Sequence, residues 1–243
     1  MKLKTLTLWR WGVRLRRTPP QAQRKKEGAT SMHPGHRSNL CGFCKKPLPN
    51  DIASHCSSEC IDAHRKRKVA DWLESIPAIM REHDLSKIPK MVQFQIVRDW
   101  QFDDDRGLIL YGSTGTGKTR ACYALAQRLV SEGADVRFLR GVTFQNEVVD
   151  RTKPGGSGDF TDWFDDLCNV DYVLLDDIDK TRFSPRVESE LYNLIDVRTS
   201  NELPIVLSAN STGPAMQRRM SPETGPAICR RIAEFCEPVN FDA

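Results

Sequence analysis

The sequence predicts an α/β protein: a parallel sheet flanked by helices, preceded by a small module held by four cysteines. Three observations carry this. Apolar strand-like runs alternate with amphipathic stretches after residue 107, a glycine-rich phosphate-binding pattern lies between one such run and a helix, and two close cysteine pairs stand near the N-terminus. At 243 residues the chain is long enough for one substantial domain with an appendage.

The composition is that of an ordinary globular protein, with 39% hydrophobic and 28% charged residues. No apolar run approaches the roughly 20 residues of a membrane helix, so no membrane span is expected. The net charge of +4 is unevenly placed: residues 1–40 hold ten Lys or Arg against the single acid Glu27, which leaves the remainder net acidic. Any nucleic-acid footprint is therefore expected near the N-terminus. Eight cysteines in a chain with a sizeable core point to a reducing compartment, the cytoplasm, rather than to a secreted disulfide scaffold. Residues 1–20 are rich in Arg and free of acids, but Arg10 interrupts Leu6, Leu8, Trp9 and Trp11, so no secretory signal is read. A transit peptide is the alternative, and Met32 is a second candidate start.

Residues 1–40 lack a sustained apolar period and read as a disordered basic arm. Residues 41–68 are too poor in large apolar side chains to fold by burial alone and need a metal. Over 69–90 the positions Val69, Trp72, Leu73, Ile76, Ile79 and Met80 keep helical spacing, kinked or divided at Pro77, and form a helical linker. Residues 91–243 form the main domain. Its strands are expected at 108–111, 136–139, 172–175, 205–208 and 239–241, and its helices at 119–132, 142–150, 186–200 and 227–235. Ser184 and Pro185 supply an N-cap and first helical residue, and the loop at 151–158, with Pro154 and three glycines, is expected to be mobile.

Gly112, Ser113, Thr114, Gly115, Thr116, Gly117, Lys118 and Thr119 fit the P-loop pattern in full, after the run 107–111 and before the stripe Cys122, Leu125, Ala126 and Leu129. The glycines let backbone N–H groups turn inward around phosphates, and the helix N-terminus adds its positive end. Lys118 is expected to neutralise the β- and γ-phosphates of ATP and the Thr119 hydroxyl to ligate Mg²⁺, with Arg120 next in the nucleotide-binding segment. The run 172–175 ends in Asp176 and Asp177. Asp176 is expected to complete the Mg²⁺ shell through water and Asp177 to polarise the attacking water, with Asp179 a substitute base; strands also end in solvated Asp turns. Asn210, after the run 204–209, is placed to orient the water and sense the γ-phosphate, or is a turn residue. Ile228, Ile232 and Phe235 share a helical face with Arg230 and Arg231 beside them, and residue type alone gives neither arginine a role.

Cys41 and Cys44, then Cys56 and Cys60, supply four soft ligands at a spacing that suits tetrahedral Zn²⁺, with Gly42 in the first knuckle and a basic helix opening at the second pair. His55 or His64 could replace one Cys, and redox thiols or surface histidines are the alternatives. Cys122, Cys168, Cys229 and Cys236 read as core or inert thiols.

Together these residues resemble the AAA+ ATPases of the DnaC-type helicase-loader family, with IstB-type transposition helper ATPases as close relatives. The resemblance covers about Gly107 to Phe241 and rests on the P-loop run, Asp171 to Asp179, Asn193 to Asn201, Pro204 to Asn210 and Ala227 to Phe235. It implies that Arg231, preceding Ile232, is an arginine finger acting on the neighbouring subunit's nucleotide, with Arg230 the alternate. Only twelve residues follow Arg231, so no C-terminal helical lid is expected. The resemblance further implies an oligomer in the ATP state that places a replicative helicase, gripped by the zinc module, on single-stranded DNA. DNA contact through Arg65 to Lys68 is the competing use of that module. A transposition helper, or a zinc adaptor with slow turnover because Asp177 stands where Glu is usual, are the alternative functions.

Overall fold

The computed structural model describes residues 40–41, 43–48, 55–81, 88–102, 106–153, 155–156, 158–211 and 213–243. The expected basic arm, apart from Leu40, lies outside the described residues, as do Gly42 and parts of the expected loop at 151–158. In chain order the elements are α1 (Ser58–Ser75), α2 (Met91–Arg98), β1 (Gly107–Tyr111), α3 (Lys118–Ser131), β2 (Val136–Arg140), α4 (Gly141–Thr152), α5 (Phe160–Asn169), β3 (Tyr172–Asp176), α6 (Pro185–Ser200), β4 (Ile205–Ala209), α7 (Gly213–Gln217), α8 (Gly225–Phe235) and β5 (Cys236–Asn240). Short 3₁₀ turns lie at Ala78–Met80 and Ile178–Lys180.

The strands form one parallel sheet in the order β2-β3-β4-β1-β5, covered on both faces, as expected. Period-two alternation sorts the core. Val173, Leu175, Ile205 and Leu207 pack with Phe144, Phe164, Leu191 and Ile195, whereas Leu174, Val206, Leu108 and Leu110 pack with Phe94, Leu125 and Leu129. At the start of β1 the chains approach so closely that a Cβ on Gly107 would lie 1.9 Å from the Ile205 carbonyl oxygen, so only glycine fits. β1 sits between β4 and β5, and polar residues following β1, β3 and β4 gather at one sheet edge, where ligands of open α/β sheets bind.

Five elements differ from expectation, α1, α2, α5, α7 and β5, of which the short helices α2 and α7 were not expected at all. α5 was not expected: Phe, Thr, Trp, Asp and Asn are weak helix formers, yet Asp159 caps the Thr161 N–H at 2.7 Å and Phe164, Leu167 and Cys168 bury one face. β5 runs over Cys236–Asn240 rather than 239–241 and follows α8 without a loop. Pro238 disguises it, and it is tolerated because β5 pairs only with β1 and forms the sheet's edge. α1 begins inside the cysteine module, with Ser57 Oγ accepting the Cys60 N–H, and continues unbroken past Lys68 to Ser75. It docks on the main domain through Lys68 Nζ on Asp135 Oδ1 at 2.6 Å and through Trp72 against Tyr123 of α3. Among the described residues no helix is long and apolar enough to cross a membrane.

Arg198 of α6 is fully buried, and the hydrogen bonds it donates all reach main-chain carbonyls. Its guanidinium donates to Leu167 O (2.8 Å), Val170 O (2.9 Å), Asp171 O (3.1 Å) and Pro204 O (2.7 Å). These carbonyls lie at the end of α5 and just before β3 and β4, so one side chain joins the starts of both strands. Burial lowers its pKa to about 10, still far above neutrality. Replacement by Met would strand several buried carbonyls, so Arg198→Met should cost about 3–5 kcal/mol in a urea unfolding titration; a loss under about 1 kcal/mol would contradict this role.

Candidate functional site

The P-loop joins β1 to α3 as the sequence predicts. Gly117 precedes α3 with φ of 101°, a left-handed conformation that disfavours any side chain, and Pro89 Cδ lies 3.6 Å from where its Cβ would stand. Lys118 is buried and folds back on its own loop, donating to Gly112 O and Ser113 O at 2.8 Å each and to Asn210 Oδ1 at 3.1 Å. Burial lowers its pKa, opposed by the charges of Asp177, Asp179, Asp242 and Asp176. Thr116 Oγ1 donates to Ser113 O at 2.9 Å, and Thr114 Oγ1 reaches Asn210 Oδ1 at 3.4 Å. Gly115 has φ of 85° and open space where a Cβ would lie. Arg120 is half-buried in the first turn of α3 and makes no hydrogen bond or ion pair among the described residues.

Alternation puts Asp176 on the α3 face of β3, where Leu174 also points, and Ser208 on the same face of β4 as Val206. Asp176 Oδ1 accepts from Ser208 Oγ at 2.5 Å and from Thr119 Oγ1 at 3.1 Å. Its Oδ2 is buried without a hydrogen-bond partner, and burial raises its pKa, with the Ser208 bond opposing. A hydroxyl and a carboxylate with an unpaired oxygen are hard oxygen donors of the kind that suit Mg²⁺.

Asp177 turns the chain with φ of 53° and ψ of 46°, an uncommon conformation for a residue with a Cβ. Its N–H donates to Ser208 Oγ at 2.9 Å, and its carboxylate holds Lys180 Nζ at 2.7 Å. The residue expected to polarise water is therefore ion-paired to Lys180. Asn210 stands between Thr114 and Lys118.

The α8 arginines lie apart from these contacts. Arg231 is ion-paired with Asp196 of α6 and lies over the Phe235 ring. Arg230 is exposed and makes no ion pair among the described residues.

Ser208 and Asp242 were not among the expected site residues, and Asp179 makes a contact that its expected part as a substitute base does not foretell. Ser208 was legible as the one hydroxyl in a strand buried at every position. Asp179 serves as an acceptor for Asn210 N–H at 3.1 Å, which no sequence spacing shows. Asp242 accepts the Ser113 N–H at 2.7 Å, and that bond holds its carboxyl below the usual range.

In the cysteine module, Cys41, Cys44, Cys56 and Cys60 converge with all four sulfurs within 4.8 Å of one another. Bonds of about 2.3 Å to one tetrahedral ion would set the sulfurs about 3.8 Å apart, inside that limit. The knuckle is closed by Cys41 N–H on Lys46 O at 2.7 Å, and the start of α1 presents Cys60. The backbone N–H of Cys44 draws the Cys41 thiol down to about 5, while burial pushes Cys60 up to about 12. The two histidines named as substitute ligands instead bond each other, His55 Nε2 to His64 Nδ1 at 2.7 Å, and His64 stacks on Phe43.

Fold and strand-end site define a P-loop protein of the AAA+ class. Residues 80–242 match the family described as IstB-like ATP binding protein, and the chain belongs to that family. Among curated proteins, the chromosomal replication initiator protein DnaA of Oenococcus oeni is 28% identical over 138 residues, 56% of this chain and 28% of that protein. Its counterpart from Limosilactobacillus fermentum is 29% identical over 110 residues, 44% and 24% of the two chains. This chain thus spans about a quarter of the length of these relatives. Among solved structures, DnaI superposes with a TM-score of 0.56 at 18% identity, covering 68% of this chain and 94% of that one. A putative primosome component from Streptococcus pyogenes serotype M3 gives 0.54 at 22% identity, with 68% and 89% covered. AMPPCP-bound DnaA from Aquifex aeolicus gives 0.51 at 20% identity, with 69% and 49% covered. These likenesses are of fold.

Ser208 bridges Asp176 and the Asp177 N–H, so Ser208→Ala leaves a main-chain donor unpaired at a strained residue. Unfolding titrations should show a loss of about 1–3 kcal/mol, and unchanged stability would show that the bridge is dispensable.

Proposed function

We propose that the chain is an ATPase of DNA replication initiation, which docks on a replicative helicase through its cysteine module and helps place it on single-stranded DNA. The observation that carries the ATPase reading is the cluster of half-buried Thr119 with buried Asp176 and Ser208, beside Lys118 and Asn210. Thr119 and Asp176 would hold Mg²⁺, which when bound supplies charge neutralisation across the β- and γ-phosphates. Lys118 exchanges its contacts with Gly112 O and Ser113 O for phosphate oxygens. Asp177, once free of Lys180, takes a proton from the attacking water, and Asn210 orients that water.

The replication reading draws support from the resemblance of the sequence to helicase loaders, and from likeness to proteins named as a primosome component, DnaI and DnaA. A transposition-helper role is the second reading, favoured by the IstB-like family match. Binding of the full chain to the purified replicative helicase, against a transposase encoded beside an IstB-like gene, separates the two. Tight binding to the transposase alone would reject helicase loading.

Lys118→Ala should abolish nucleotide binding, and Asp177→Asn should spare binding while slowing turnover. The arginine finger belongs to α8: Arg231 must leave Asp196 to act on a neighbour, whereas Arg230 is already exposed. The finger variant should bind ATP normally and lose about 10- to 1000-fold in hydrolysis, and Lys118→Ala subunits mixed with it should restore activity. Mixtures that stay inactive for both Arg230→Ala and Arg231→Ala would reject action across subunits.

For the cysteine module, one Zn²⁺ per chain is expected by metal analysis, with protons released on loading because the ligands are thiolates. Cys41→Ser with Cys44→Ser should release the metal and leave the sheet folded. Metal-free protein after purification under reducing conditions would reject the site.

A further inference from the structure

We infer that Asp179 is a positioning residue for Asn210: its buried carboxylate holds the backbone that carries the Asn210 amide between Lys118 and Thr114, and thereby sets how the site distinguishes ATP from ADP. The inference rests on the ATPase reading above.

The β4 ladder ends at Ala209, where β1 pairs it with Tyr111, and β3 pairs no further than Leu207. Asn210 N–H therefore has no strand acceptor. Asp179, in the turn after β3 and only 4% exposed, supplies one: Oδ2 takes Asn210 N–H at 3.1 Å and lies 3.5 Å from Ser211 Oγ. Its other oxygen is buried and has no hydrogen-bond partner. A buried carboxylate with an unmet acceptor is costly where stability alone is at stake, and such local departures concentrate at functional sites. A charged acceptor binds an N–H about twice as strongly as a neutral one, which is what holding a residue just beyond a strand end requires. Holding this N–H is a part for Asp179 distinct from that of the substitute base the sequence suggests. On the other side of Asn210, the side-chain oxygen meets Lys118 Nζ at 3.1 Å and Thr114 Oγ1 at 3.4 Å. A shift of the backbone would move that amide relative to the γ-phosphate position while leaving the P-loop N–H groups in place.

The experiment uses the full chain with Mg²⁺: steady-state ATP hydrolysis, and calorimetric affinities for AMPPCP and ADP, for the wild type, Asp179→Ala, Asp179→Asn, Asn210→Ala and the Asp179→Ala/Asn210→Ala double variant. Asp179→Ala should lower kcat about 10- to 100-fold, the range typical of residues that orient a functional group, with KM for ATP changed less than about threefold. It should alter the AMPPCP-to-ADP affinity ratio as Asn210→Ala does. The double variant should be no slower than Asn210→Ala, because the two residues act through one amide. Asp179→Asn, which keeps a neutral acceptor, should fall between the wild type and Asp179→Ala and should speed amide hydrogen exchange over residues 208–213. Losses that multiply in the double variant, or an unchanged affinity ratio in folded Asp179→Ala, would overturn the inference. If Asp179→Ala does not fold, unchanged kcat and unchanged exchange in Asp179→Asn would overturn it as well. An Asn210→Ala variant with normal turnover and normal nucleotide preference would remove the proposed role of Asn210, and Asp179's with it. A slow Asn210→Ala beside an inert Asp179→Ala rejects the Asp179 inference alone.

Discussion

Strands β3 and β4 are pinned at both ends by side-chain hydrogen bonds, and the site exists only in the register those bonds hold. At the start, the Arg198 guanidinium bonds carbonyls just before each strand, Asp171 O and Pro204 O. At the far end, Ser208 Oγ donates to Asp176 and accepts the Asp177 N–H. A slip of one residue would turn Asp176 and Ser208 to the opposite face, away from Thr119 on α3. The guanidinium suits this task because it offers five fixed donors, and a cation surrounded by carbonyl oxygens keeps much of the solvation it loses on burial.

The same economy of contacts links the cysteine module to the P-loop helix. Cys60 lies in the first turn of α1, and the last turns of that helix press Trp72 on Tyr123, which stacks on Phe138 of β2. Module and sheet thus share a continuous helix, and metal at one end would stiffen an element that packs on α3 at the other. Around Lys118 the charge balance is poised: one ammonium lies in the field of four carboxylates, held by carbonyl oxygens that a phosphate would displace.

Much of this was legible in the sequence because its constraints are local. The P-loop demands glycines, a lysine and a hydroxyl at fixed spacing; the paired cysteines need knuckle spacing; and Ser184 with Pro185 announces α6, where the serine side chain caps Val187 N–H as expected. What stayed hidden depends on partners distant in the chain. Arg198 reads as an ordinary late-helix cation, Asp179 as a spare acid and Asp242 as a tail residue until the fold sets carbonyls or N–H groups beside them. α5 hid behind poor helix formers, although Phe160, Phe164, Leu167 and Cys168 keep helical spacing, and β5 hid behind Pro238. The ion pairs of Asp177 with Lys180 and of Arg231 with Asp196 were likewise invisible, since long side chains choose partners only after the backbone is set.

The claim on which the rest depends is that Thr119 and the unpaired oxygen of Asp176 form a metal site for a bound nucleotide. Calorimetric titration of the full chain with AMPPCP, in Mg²⁺ and again in EDTA, addresses it directly. Mg²⁺ should tighten binding by roughly tenfold or more, about 1.4 kcal/mol for each factor of ten, and Asp176→Ala should abolish that difference while retaining the metal-free affinity. Equal affinities of the wild type in Mg²⁺ and in EDTA, or an Mg²⁺ effect that survives Asp176→Ala, would contradict it.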